Sequence, residues 1–206
     1  MSRRTTDPVR PNPQLNWPAV ITYGACAGLL GVAAMTATER IEQFFTARPS
    51  SQVPGRTLSR LLAWAAGSIS KISEPTADEA NPETLTRLTW TMHFGQGAVV
   101  AVVRAVAAYS WGIRGPFADF LFAGVRLAVD QTLENLTGVG ALPWTWPVSE
   151  QIIDLLHKTV YALVTGYFTD RWIQTNYSQN PPAPKNANSL PPSHRCLILF
   201  FPTQSV

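Results

Sequence analysis

Residues 126–158 read RLAVDQTLENLTGVGALPWTWPVSEQIIDLLHK, and this stretch decides the fold. Two helix-like segments flank a turn built from Gly138, Gly140, Pro143, Trp144 and Trp146. Before the turn, Arg126, Asp130 and Glu134 recur at every fourth residue, with Val129 and Leu133 beside them. After it, Glu150, Asp154, His157 and Lys158 keep a spacing of three and four. Residues so spaced share a helix face. Each segment therefore carries its charges on one face and near the turn, which points to a concentrated polar site on an otherwise apolar, membrane-embedded bundle.

Composition agrees with that reading. Charged residues make up 14% of the chain, against about 25% in soluble domains. Mean hydropathy is only +0.02, because polar ends dilute the apolar middle. A net charge of +3, with no basic stripe interleaved with aromatics, excludes a nucleic-acid partner. Cys26 and Cys196 are too few and too distant for a disulfide framework or a zinc motif, and Cys26 is expected to be a small buried apolar residue. No cofactor is implied.

Working outward, residues 1–16 are polar and Pro-containing and are expected to be a disordered tail. From Trp17 to Ala37 no charge occurs, which meets the roughly 20 residues a bilayer span needs. This segment runs into Thr38-Glu39-Arg40 without a small-x-small cleavage site, so it reads as a first span and not as a removable signal. Gly24 and Gly28 form GxxxG, a stripe that lets another helix approach, including one from a second copy of the chain. After Arg48-Pro49, Pro54 opens a short amphipathic helix with Leu58, Leu61, Leu62, Ala65 and Ile69 on one face and Ser59 and Arg60 opposite, suited to the membrane interface or to packing under the bundle. Residues 71–82 read as a linker. Asn81-Pro82-Glu83 is a helix start, and that helix is expected to reach Trp111, interrupted by Gln96 and Arg104. A third helix is expected over about 116–134 and a fourth over about 147–172, with residues 173–206 a second disordered tail.

The expected fold is thus all-α: a four-helix integral membrane bundle over 17–172, with a short amphipathic helix between the first two spans. Its partner is the lipid bilayer. Arg3, Arg4, Arg10, Arg114, Arg171 and Lys185 would place both termini on the cytoplasmic side. In an up-down-up-down arrangement, one end of the bundle collects Glu39, Glu42, His93, Gln96, Asp130 and Glu134. Glu150, Asp154 and His157 join them there, while the opposite half of each helix reads as mostly apolar. Three roles are open for this layer. It serves only as packing, through ion pairs Arg126–Asp130 and Lys158–Asp154. It handles protons or small ions. Or it performs acid/base or metal-assisted catalysis on an apolar substrate, since Asp154-x-x-His157 matches in spacing one half of the paired Glu-x-x-His element of metal bundles. The leading expectation is a non-enzymatic proton- or ion-handling protein, or one with a membrane-stress role, and no metal is assigned.

Several of these residues carry a resemblance. Gly24, Gly28 and Glu39, then Arg48-Pro49, His93, Leu142-Pro143-Trp144, Ser149-Glu150 and His157 follow one another as in the YagU-like family of small inner-membrane proteins linked to acid tolerance. The chain also looks like fungal multi-span membrane proteins with the run DQTLEN–TGVGA–PWTWP. The resemblance covers about residues 17–172 and implies a four-span protein. The acids of DQTLEN have no counterpart in the bacterial pattern.

Overall fold

The computed structural model describes residues 16–67 and 74–178, and side chains as far as Ile173. Within them lie six α-helices and no strand. The four long ones are α1 (Trp17–Thr46), α4 (Pro82–Trp111), α5 (Pro116–Leu136) and α6 (Val148–Ser178). Two short ones, α2 (Val53–Ala65) and α3 (Ala77–Ala80), lie between α1 and α4. Of these, α1 and α4 are long and apolar enough to cross a membrane. The expected tails 1–16 and 173–206 fall largely outside the described residues, as do Ile69, Lys71 and Cys196.

Local chemistry sets the helix ends. Asn16 Oδ1 accepts from Ala19 N (3.0 Å) and starts α1 with Pro18 in the first turn. Asn81 Oδ1 accepts from Glu83 N (3.0 Å) and Thr84 N (3.2 Å), starting α4 in the same way. Gly112 (φ 66°) and Gly115 (φ 83°) turn the chain from α4 into α5, a left-handed backbone that other residues adopt only at a cost.

Contacts along the helices alternate in direction. Moving up α1, Trp17 meets Tyr109 of α4, Gly28 meets Ala101, and Thr36 meets His93. These two helices run antiparallel. So do α1 and α6, from Tyr23–Trp172 to Arg48–Glu150. So do α5 and α6, from Asp119 beside Gly166 to Asp130 beside Lys158. Packing is closest between α1 and α4. A Cβ on Gly24 would lie 2.7 Å from that of Ala105, one on Gly28 would collide with α4, and Val32 fills the notch left by Gly97. Gly24 and Gly28 are covered by α4 of the same chain. The GxxxG pattern marks a close helix contact without saying whose helix makes it.

Two expectations are corrected. Cys26 is exposed, because it sits on the face of α1 turned away from both α4 and α6. In α2 the polar side points inward: Thr57, Ser59 and Arg60 are buried while Leu62 and Trp64 are exposed. Arg60 donates through Nε to Glu79 of α3 (2.9 Å) and through Nη1 to the Thr137 carbonyl at the end of α5 (2.9 Å), fastening α2 across the bundle.

Candidate functional site

The architecture leaves a gap between α4 and α5. The backbones of these consecutive helices meet little, and long polar side chains reach across. At the end formed by the start of α4 and α6 and the close of α1 and α5, the gap opens into a cavity of about 570 Å3 beneath α2. Every residue of the expected polar layer except Glu42 lines it. Glu39 comes from α1, His93 and Gln96 from α4, and Asp130 and Glu134 from α5. Glu150, Asp154 and His157 come from α6, and so does Lys158. Arg126 closes the floor. Glu42 does not line the cavity and instead accepts from Thr46 of its own helix (2.7 Å).

The floor is an ion-pair network centred on Asp130. Its Oδ1 accepts from Gln96 Nε2 at 2.7 Å, and its Oδ2 lies 3.1 Å from Arg126 Nε and 3.2 Å from Lys158 Nζ. Lys158 also pairs with Asp154 one turn away. Arg126 is 2% exposed and Asp130 7%, so their charges are compensated by these partners and not by water. Below them the Arg126 guanidinium lies 5.0 Å from the centre of the Tyr161 ring, and the Tyr161 hydroxyl donates to the Gly97 carbonyl (2.6 Å). Two cations thus face two carboxylates, and the floor closes its own charge.

The walls do not. Among the described residues neither Glu39 nor Glu134 has an ion-pair partner. Glu39 accepts only from Gln43 (3.2 Å). His93 Nε2 lies 3.0 Å from the Thr36 hydroxyl, which holds the ring against α1. His157 faces the same space from α6. At the mouth, Arg48 from the α1–α2 turn pairs with Glu150, a contact the sequence alone did not suggest. Asp154 and His157 share the cavity, yet among the described residues no three His, Cys, Asp or Glu side chains are grouped to hold a metal.

The expected apolar half contains a second charged cluster. Arg104 donates from Nε (3.1 Å) and Nη2 (2.8 Å) to Asp119, from Nη2 to Asp170 (3.0 Å), and from Nη1 to the Ile113 carbonyl (2.9 Å). Gly115 N donates to Asp170 (2.8 Å). Arg104 is 2% exposed and Asp119 6%. A Cβ on Gly166 would collide with the Asp119 carboxylate, so only glycine lets α6 accept it. The signal was present in the sequence: an arginine inside an apolar run requires a partner.

Comparison with protein-family models, with curated proteins and with solved structures finds no match to this chain.

Proposed function

We propose that the chain is a four-span integral membrane protein whose acid- and histidine-lined cavity handles protons or small cations. The membrane part of this reading is supported by an inverted distribution of side chains. Buried positions include Arg104, Asp119, Arg126, Asp130, Thr165 and Thr169, whereas Leu29, Val99, Phe117, Phe120, Leu156 and Leu163 are exposed. The inversion extends to α5 and α6, whose charges keep them from passing as spans on apolarity alone. Water would penalise such a surface, and a hydrocarbon solvent favours it. Residues Tyr23 and Trp172 meet, so the chain enters α1 and leaves along α6 at one end, beside Arg114 and Arg171. Basic residues favour the cytoplasmic side for that end.

The proton or cation part rests on one observation: Glu39, Glu134, His93 and His157 line a cavity of about 570 Å3 outside the ion pairs that neutralise its floor. A network made only for packing would close on itself and leave no such space. Carboxylates and imidazoles without a fixed counterion are the groups that take up and release protons or cations in membrane pathways. The acid-tolerance role implied by the YagU-like resemblance would draw on the same chemistry.

Two measurements test the reading. The protein is expected to stay with membranes through alkaline carbonate extraction, and release into the soluble fraction would refute the four-span arrangement. In proteoliposomes the wild type is expected to collapse an imposed pH gradient. The E39Q/E134Q variant should do so at least fivefold more slowly, and E42Q at the wild-type rate. Equal rates for wild type and empty vesicles would refute proton handling. The volume itself favours one rival, a membrane-embedded enzyme acting on an apolar substrate, because small-molecule sites span about 300–1,000 Å3. Co-purification of a defined small molecule with detergent-solubilised protein, displaced in E134Q, would favour that rival.

A further inference from the structure

Beyond the cavity, polar groups continue through the bundle. At its far end, one cation, Arg104 of α4, faces two carboxylates, Asp119 of α5 and Asp170 of α6, with Arg171 next in the chain. An open hollow of about 560 Å3 lies there, and Asp119, Tyr167, Asp170 and Arg171 line it. The two polar regions are separated along α6 by Tyr161, Thr165 and Thr169, which follow Lys158 at steps of three and four and so keep to one face. Thr165 and Thr169 are 0% exposed; among the described residues the Thr169 hydroxyl has no hydrogen-bond partner, and the Thr165 hydroxyl has none but the Tyr161 hydroxyl one turn back. Elsewhere on the same helix Thr159 donates to the Leu155 carbonyl (2.8 Å), the ordinary solution for a helical threonine. A buried hydroxyl left unpaired costs about 1–3 kcal/mol. Ordered water is the usual partner in such places.

We infer that the Thr165 and Thr169 hydroxyls, bridged by water, form a proton path along α6 from the cavity to a second proton-accepting station at Asp119 and Asp170. The inference rests on the proton-handling reading. Successive residues on this face are separated by about 6 Å along the axis, close to two hydrogen bonds of about 2.8 Å through one water. Each hydroxyl accepts a proton from the water on one side and passes its own to the next, so no bond order or oxidation state changes. The proton leaves on the Asp119–Asp170 pair, beside the open hollow.

The test uses T165V/T169V in full-length protein reconstituted with a pH-sensitive dye inside the vesicles and a potassium–valinomycin potential as drive. Wild type is expected to move protons. The valine variant should fall at least tenfold while its melting temperature stays level or rises, and T165S/T169S should restore flux. Wild-type flux that survives in the valine variant would overturn the path and leave the proton-handling reading standing. Absence of flux in the wild type would overturn both. A valine variant that fails to fold and is rescued by serine would show the hydroxyls to be structural, which also overturns the path.

Discussion

Asp130→Asn is expected to lower stability by about 3–5 kcal/mol, the cost of breaking a buried pair and leaving its cations uncompensated. Asp130 holds Gln96, Arg126 and Lys158 at once, and Arg126 and Asp130 are both buried. The Asn side chain preserves shape but removes the charge and turns an amide N–H₂ towards one of the cations. The network of Arg126, Lys158, Asp130 and Asp154 then passes from balance to an excess of one positive charge. In detergent this corresponds to a melting temperature lower by about 10 °C for a chain of this size. The double variant D130N/R126Q restores the balance, leaves Lys158 paired with Asp154, and is expected to recover a large share of the loss. Glu42→Gln should lose far less, since among the described residues Glu42 is in no ion pair and its hydrogen bonds are to Thr46 of its own helix. The checking measurement is a thermal melt of all four proteins, and D130N melting within 2 °C of wild type, by that roughly 2–4 °C per kcal/mol scale, would show that Asp130 does not hold the floor together.

The contrast between the two charged clusters shows what a single sequence displays. Arg126–Asp130 and Asp154–Lys158 are pairs at a spacing of four within one helix, so the spacing alone names the partners. Their gathering with Glu39, His93 and Glu134 follows from alternating helix direction, which the short turns at 112–115 and 137–147 impose. Arg104 has only Val100, Ala101, Ala107 and Ala108 at its helical neighbours, and its acids lie on α5 and α6. Nothing local points to them. The same limit applies to Gly24 and Gly28, where the small stripe was legible and its partner was not. In α2 the amphipathic pattern was legible but its sense was not. Which face turns inward depends on Glu79 and on the Thr137 carbonyl, both distant in sequence. Helix starts were the best-resolved feature, because Asn81 acts on backbone groups within three residues.

Arg104→Met is expected to have the largest effect of any single substitution in the bundle. The guanidinium binds α4 to α5 and α6 and to the Ile113 carbonyl in the turn between α4 and α5. Methionine would fill much of the volume, yet it would leave Asp119 and Asp170 as two carboxylates with no cation between them. Like charges in a desolvated site repel strongly, and each carboxylate also loses its charged donors. The expected outcome is a loss well above the 3–5 kcal/mol of an ordinary broken buried pair, seen as failure of the protein to accumulate. Arg104→Lys should be intermediate, because one ammonium cannot reproduce the planar fork that reaches Asp119, Asp170 and Ile113 together. Adding Asp119→Asn to Arg104→Met returns the cluster to its original net charge of one negative, from one arginine and two aspartates, and is expected to restore part of the abundance. Quantifying accumulated protein for the three variants beside wild type checks the argument. Wild-type abundance and melting in R104M would mean that the cluster is dispensable to the fold and that α4 and α5 are held together by something other than these charges.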